Sequence, residues 1–474
     1  MYESVIGLEV HLAVRTDSKL FCGCNADGFG KPPNSCVCPT CLGLPGRAPR
    51  LNREAVAKAL MFSLALQCEV PRRTEFQRKH YFYPDAPKNY QTSQGEGPIG
   101  ENGRVTLANG RTIRIARCHL EEDAGRSVHP PYAGHSLIDL NRAGAPLIEM
   151  VTEPDIRSAQ EAREFLGVVR AIAQALGVSD ASPEEGKMRA DVNISVNRSG
   201  EPFGTKVEVK NLNSFRSVEA AIEYEFRRQR TQLDDNKPIT QQTRGWNEGG
   251  QRTYLMREKE ESADYRYLPD PELPALEISR ELLEEIRQAT PELPGSKEAR
   301  YQALGLREAH AALIAFDVGL ASFFDASLKA AEGSGIEPQA IANWLVSEVT
   351  GHLNELQVGL DEVSLKPAAF VELVGLVEDG KISGRTAKEL LPEVVDGAAP
   401  SKLVEERGLV QISDEAAVAS LVDSVIEGNP ELVERVRQNP KAINALLGLV
   451  MKESRGKAKP DLVRRLLTQQ LEIE

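Results

Sequence analysis

The feature that most limits what this chain can become is a change of hydrophobic period. In several stretches before residue 290, apolar residues recur with a period of two. Beyond Thr290-Pro291-Glu292-Leu293-Pro294-Gly295 only helical spacing remains. A chain of 474 residues is also too long for a single core. The expected class is therefore α+β. A β-rich domain at 1–293 should be followed by two all-helical domains at 294–404 and 405–474, with Ala399-Pro400-Ser401 breaking the helical pattern between them.

Charge and leader patterns narrow the classes of function. The net charge of −13 argues against sequence-blind coating of nucleic acid but leaves room for a local basic patch. The N-terminal residues carry no basic leader, and no run reaches the ~18 apolar residues a spanning helix needs. The expectation is a cytoplasmic protein without a membrane partner.

Residues 2–12 alternate as a strand, with Ile6, Leu8, Val10 and Leu12 on one face and Glu9 and His11 on the other. Those two polar side chains project together, roughly 7 Å apart by strand rise. An exposed edge would explain them equally well. Glu149 stands inside the apolar run 145–151, where an unpaired charge is costly, so a metal or an ion pair should compensate it. His119-Leu120-Glu121-Glu122-Asp123 crowds three acids together. This is either a solvated turn or one arm of a Mg²⁺ site.

Five of the seven cysteines fall within Cys22–Cys41. A Cys-x-Cys knuckle followed by Cys-x-x-Cys suits tetrahedral thiolate coordination of a structural Zn²⁺. Cys22, Cys24, Cys38 and Cys41 make the expected set, with Cys36 spare; Cys68 and Cys118 read as core residues.

The run 78–91 is dense in lysine and tyrosine, and its prolines exclude a regular helix. Lys79 and Lys88 are candidates to neutralise phosphate beside aromatic rings. Gly95-Glu96-Gly97-Pro98-Ile99-Gly100 fits G-x-G-x-x-G, but a hairpin-like Glu101-Asn102-Gly103-Arg104-Val105 follows where a dinucleotide fingerprint needs a helix. No Walker pattern occurs, so any use of ATP must do without one. Strands at 188–195 and 205–210 form a hairpin with one apolar face and one face of Asp191, Asn193, Lys206, Glu208 and Lys210. The C-terminal segment is basic, with Lys452, Arg455, Lys457 and Lys459 among its cations. It would suit phosphate contacts to a folded RNA, or be an ordinary basic helix face.

Gly7-Leu8-Glu9-Val10-His11, Tyr81-Phe82-Tyr83-Pro84-Asp85, Glu121-Glu122-Asp123-Ala124-Gly125, Lys210-Asn211-Leu212-Asn213-Ser214, Asp264-Tyr265-Arg266-Tyr267 and Gly408-Leu409-Val410-Gln411-Ile412 resemble, nearly end to end and in order, the B-subunit family of the aspartyl/glutamyl-tRNA(Asn/Gln) amidotransferases. The resemblance implies a cradle-like catalytic domain that binds ATP, a helical domain and a small tRNA-binding tail. It implies ATP-dependent phosphorylation of the side-chain carboxylate on misacylated Glu-tRNA(Gln) or Asp-tRNA(Asn), followed by amidation with ammonia. It makes His11, Glu122 and Glu149 the expected Mg²⁺ ligands. Glu9, Lys79 and Asp191 become catalytic, Tyr81, Lys88 and Lys210 hold nucleotide or substrate, and Lys452, Arg455, Lys457 and Lys459 meet tRNA.

A Ser–Ser–Lys amidase signature is absent from the sequence, so ammonia is expected from a partner, the glutamine-hydrolysing amidase or A subunit, braced by a small C subunit. The non-discriminating aminoacyl-tRNA synthetase is a further candidate partner. Two rival readings remain from the residues themselves. One is a zinc-stabilised tRNA-binding or assembly subunit without chemistry; the other is a kinase-like enzyme forming an acyl phosphate on a small molecule.

Overall fold

The computed structural model describes every residue except 1, 131–133, 259–264, 412–414, 440–441, 455–457 and 472–474. It divides into two compact units, Met1–Pro294 and Gly295–Glu474. The strands, all in the first unit, run in chain order as β1 Tyr2–Ala13, β2 Arg73–Thr74, β3 Gln77–His80, β4 Tyr90–Ser93, β5 Gly100–Thr106, β6 Thr112–Glu122, β7 Arg126–Val128, β8 Leu137–Asp139, β9 Pro146–Thr152, β10 Met188–Arg198, β11 Val207–Leu212, β12 Gln242–Asn247, β13 Arg252–Glu258, β14 Leu268–Pro269 and β15 Leu276–Glu277. Its helices are α1 Arg53–Ala65, α2 Ala159–Ala175, α3 Phe215–Asp234 and α4 Arg280–Ala289.

Eight strands build one sheet in the order β13-β12-β11-β10-β1-β9-β6-β5. The pairs are antiparallel except β11 with β12, which run parallel because α3 carries the chain back between them. One sheet face is apolar: Ile6, Leu8, Val10 and Leu12 of β1 are buried beside Ile148 and Met150 of β9 and Val192 and Ile194 of β10. Phe165, Leu166 and Val169 of α2 and Val218, Ala221 and Ile222 of α3 complete that core. Each of these Val, Leu, Ile, Met and Phe side chains contributes roughly 1.5–3 kcal/mol when fully buried.

The helices begin where short polar side chains can accept their first N–H groups. Asn52 Oδ1 accepts from Glu54 and Ala55 at the start of α1, Ser158 Oγ from Glu161 at α2, and Ser214 Oγ from Ser217 at α3.

The expectation for Glu101–Val105 needs correction. These residues are interior to β5, and the turn comes later, where the Gly110 N–H donates to the Leu107 carbonyl. Asn102 takes a left-handed φ of 54° inside the strand, a conformation that asparagine tolerates there as it does in turns. The neighbouring strands β8 and β9 do not pair with each other. β8 pairs with β7, whereas β9 enters the large sheet between β1 and β6.

The second unit is wholly helical among its described residues and holds two separate apolar clusters. One gathers Tyr301, Phe324, Phe370 and Leu390 with their neighbours; the other gathers Val418, Val436, Val450 and Leu467. Among the described residues no single helix is long and apolar enough to cross a membrane.

Candidate active site

The polar face of the sheet is organised by register. Arg189 of β10 stands opposite His11 of β1, His11 opposite Glu149 of β9, and Glu149 opposite His119 of β6. Directly paired residues share a sheet face, so these four form a row across four adjacent strands. In the next row Asp191 stands opposite Glu9. Lys210 reaches across from β11 and lies 2.6 Å from Asp191 Oδ2 and 3.1 Å from Glu208 Oε1.

Three side chains converge closely. His11 Nε2 lies 3.5 Å from Glu149 Oε2 and 3.8 Å from Glu9 Oε1. One donor atom from each of Glu9, His11 and Glu149 lies within 4.8 Å of the other two, a spacing that could hold a metal ion. His119 Nδ1 approaches Glu149 Oε1 at 4.0 Å from the other side.

The titration of these groups follows from crowded charge under burial. Burial would raise the Glu149 carboxyl, but the hydrogen bond and charge of His11, with His119 and Lys79, hold it down at about 2. Burial works against the His11 cation, yet Glu149 and then Glu121 raise its pKa overall. Burial, followed by repulsion from Glu149, raises Glu9 and pushes Glu121 up to about 7. Burial takes His119 down to about 4, with Arg117 and Lys79 acting in the same direction. Two acids resisting ionisation beside a third is a donor set that a divalent cation would relieve.

Here the expected ligand set must be corrected. Glu122 does not join His11 and Glu149; its carboxylate pairs with Lys88 and accepts from the Thr92 N–H at 2.8 Å. The carboxylate beside His11 and Glu149 belongs to Glu121, which also accepts from Ser93 Oγ at 2.9 Å. The reason is strand phase: His119 stands opposite Glu149, so the residue two further on shares its face and Glu122 is turned away. Asp123 is held by Arg189 at 3.1 Å and by Arg142 at 3.3 Å.

Lys79, on β3, sits 5.0 Å from the centre of the Tyr265 ring. Burial opposes its charge, but Glu121, Tyr267 and Glu149 keep its pKa raised. Tyr81 is half-buried in the loop between β3 and β4, its hydroxyl pKa raised first by burial and then by Asp85.

The thiols of Cys22, Cys24, Cys38 and Cys41 form a second group whose donor atoms all lie within 4.8 Å of one another. The Cys38 N–H donates to Cys41 Sγ at 3.2 Å, and the hydrogen bond from Cys22 helps bring the Cys41 thiol down to about 4. Four soft donors at this spacing fit zinc. Cys36 stands apart from that set, its Sγ 3.9 Å from Ser35 Oγ. Cys68 and Cys118 are buried in the core.

The knuckle touches the Lys88–Glu122 pair. A Cβ on Gly43 would come within 2.7 Å of Lys88 Cγ. Gly144, at φ +85°, has Cys41 on one side and Glu122 Oε2 on another, 3.4 and 3.8 Å from where its Cβ would stand.

Comparison with known proteins gives this geometry a context. Residues 4–284 match the model of the GatB/GatE catalytic domain, and residues 322–471 match the GatB domain. The chain belongs to the GatB family. This GatB-family chain is 55% identical over 474 residues to the B subunit of the aspartyl/glutamyl-tRNA(Asn/Gln) amidotransferase of Thermus thermophilus, covering all of both chains. It is 54% identical over 475 residues to the protein of that name from Deinococcus radiodurans, with 99% of each covered. The Brevibacillus brevis protein of the same name is 46% identical over 477 residues, again with 99% of each covered.

Within this GatB-family chain, the sheet brings together Glu9, His11, Glu149, Asp191 and Lys210, and Lys79 is close enough to feel the charges of Glu121 and Glu149. Lys88 stands with Glu122 instead. Of the basic C-terminal residues, Lys452 is exposed and Lys459 half-buried, while Arg455 and Lys457 lie outside the described residues. Sequence reading missed Glu121, His119 and Arg189 as site residues. The alternation of residues 117–121 held the signal for the first two, but only pairing with β9 set its phase.

Proposed function

We propose that the chain is the B subunit of a tRNA-dependent amidotransferase, activating the side-chain carboxylate of misacylated Glu-tRNA(Gln) or Asp-tRNA(Asn) with ATP. The observation that carries this reading is the convergence of Glu9, His11 and Glu149 on one sheet face, with Glu121 and Lys79 beside them, in a chain of this family. A carboxylate is a poor electrophile for ammonia. Its oxygen attacks the γ-phosphorus of ATP, the bond to the ADP oxygen breaks, and ADP leaves with that electron pair. Ammonia then attacks the acyl carbon, phosphate departs, and the amide remains.

Phosphoryl transfer needs positioning and neutralisation of charge. His11, Glu149, Glu9 and Glu121 are the residues that would hold Mg²⁺, whose hard charge suits carboxylate oxygens and phosphate. Lys79 supplies positive charge beside Glu121 and Glu149. Asp191 fixes Lys210, and the pair lines the wall beside Glu9. Lys88 and Tyr81 belong to the side reached by the knuckle, where substrate or ammonia would pass. The four cysteines would hold a structural zinc that shapes this wall.

The division into 1–293, 294–404 and 405–474 is kept in this proposal. The last segment, which has an apolar core of its own, is the tRNA-contacting tail through Lys452, Arg455, Lys457 and Lys459. Ammonia comes from the glutamine-hydrolysing A subunit, with a small C subunit bracing the assembly in the cytoplasm; the non-discriminating synthetase is a further partner.

The test is ATP cleavage by the assembled complex with correctly and incorrectly charged tRNA. Cleavage should require the misacylated tRNA and fall at least about 100-fold in Glu149→Gln, as expected when a charge-stabilising group is lost. Cleavage indifferent to the tRNA would remove the substrate. Unchanged cleavage by Glu149→Gln would remove the metal role assigned to Glu149.

A further inference from the structure

We infer that Arg189 is the guanidinium that binds the non-bridging oxygens of the phosphoryl group during its transfer to the carboxylate, an inference that rests on the function proposed above. Arg189 occupies the first row of the site, opposite His11 across the β10–β1 pair. Its charge is felt by Asp123, Asp191 and Glu121, and it opposes protonation of His11, so it belongs to the same electrostatic cluster.

Its hydrogen bonding is incomplete. Nη2 alone makes both contacts to Asp123, at 3.1 and 3.2 Å. Nε is enclosed and has no hydrogen-bond partner among the described residues. An enclosed N–H without an acceptor suffers its desolvation uncompensated, which is an arrangement kept for a ligand or for strain. Asp123 does not depend on this arginine alone, because Arg142 lies 3.3 Å from its Oδ2 and the Ala124 N–H donates to its Oδ1 at 2.9 Å. The Asp123–Arg189 contact thus orients the guanidinium through Nη2 and leaves Nη1 without a hydrogen bond among the described residues.

The neighbouring cations are more fully committed. Lys88 is paired with Glu122, and Lys210 lies between Asp191 and Glu208. Lys79 has only a point charge to offer. A phosphoryl group in flight spreads its charge over three oxygens, and a planar fork can bind two of them at once. Arg189 would donate two N–H groups to non-bridging oxygens while the carboxylate attacks phosphorus and ADP departs. No proton moves through it.

The decisive variant is Arg189→Lys, which keeps the charge and a partner for Asp123 but loses the fork. It is assayed in the assembled complex with misacylated tRNA, with Mn²⁺ binding followed by electron paramagnetic resonance and folding by thermal melting. The expected result is a fall of about 100-fold in kcat for tRNA-dependent ATP cleavage, with KM for tRNA and Mn²⁺ affinity within twofold of the parent. Arg189→Met should be at least as impaired.

A merely structural arginine would behave differently: Arg189→Lys would restore cleavage to within a few-fold, or its loss would follow a lowered melting temperature or lost Mn²⁺. Any of those outcomes overturns the assignment. Failure of the parent complex to cleave ATP with misacylated tRNA would overturn the proposed function, and this inference with it. Parent cleavage undiminished in Arg189→Lys would overturn this inference alone.

Discussion

The ammonium of Lys19, which is only 1% exposed, lies 3.8 Å from Cys41 Sγ and donates to the Ala143 carbonyl at 2.7 Å. A buried ammonium requires an anion, and a four-thiolate zinc centre carries two formal negative charges. Lys19 would therefore compensate a zinc held by the knuckle from outside its ligands, and it ties the knuckle to the loop that carries Gly144. In Lys19→Met, zinc should pass to a chelating dye about 10–100-fold more readily than in the parent, the usual consequence of losing an outer partner. Equal release rates would show that the thiolates do not use this charge.

Glu121 and Glu122 should separate cleanly on mutation. Glu121→Gln is expected to weaken Mn²⁺ binding about tenfold or more while leaving the melting temperature nearly unchanged, since the amide can still accept from Ser93. Glu122→Ala should leave Mn²⁺ affinity intact. It strands the largely buried Lys88 ammonium and should cost about 3–5 kcal/mol of stability by denaturant titration. The opposite pattern would restore Glu122 as the ligand.

The raised Glu121 carboxyl gives a pH signature. With a folded pKa of about 7 against an ordinary 4.5, the folded chain holds this proton more tightly than the unfolded one. This group's contribution to metal-free stability is therefore greatest below pH 4.5 and declines as pH rises towards 7. Metal binding runs the other way, because the cation needs the ionised carboxylate. Apparent Mn²⁺ affinity should rise up to about tenfold per pH unit between pH 5 and 7 from this group, and Glu121→Gln should flatten that slope.

At the other end of the chain, Lys452 is exposed on the last turn of the helix Ile443–Glu453. Lys452→Glu should weaken tRNA binding at low salt. Filter binding across a salt series should show the slope of log affinity against log salt reduced by about one for each phosphate no longer neutralised. A parallel displacement with unchanged slope would mean that this face does not meet phosphate.

Much of the site was legible because local chemistry is written in local pattern. Alternation in 2–12 placed Glu9 and His11 together opposite an apolar face, and the Cys-x-Cys and Cys-x-x-Cys spacing singled out four thiols. The switch at Pro294-Gly295 likewise fell where the two compact units divide. Each of these signals acts over a few residues, where backbone periodicity and capping decide the outcome.

What tertiary structure decided was phase and adjacency. Three consecutive acids alternate faces in any strand, but which of them turns towards His11 depends on how β6 aligns with β9, and a shift of one residue would exchange Glu121 for Glu122. Arg189, nearly 180 residues from His11, reads in the sequence as an ordinary cation on a hairpin face. Only the β10–β1 pairing places it in the row. The sequence by itself determined which side chains each strand offers to a face, because that follows from the two-residue repeat. The folded sheet decided which strands lie side by side and in what register, because those pairings join segments far apart in the chain and are selected by burial of their common apolar face.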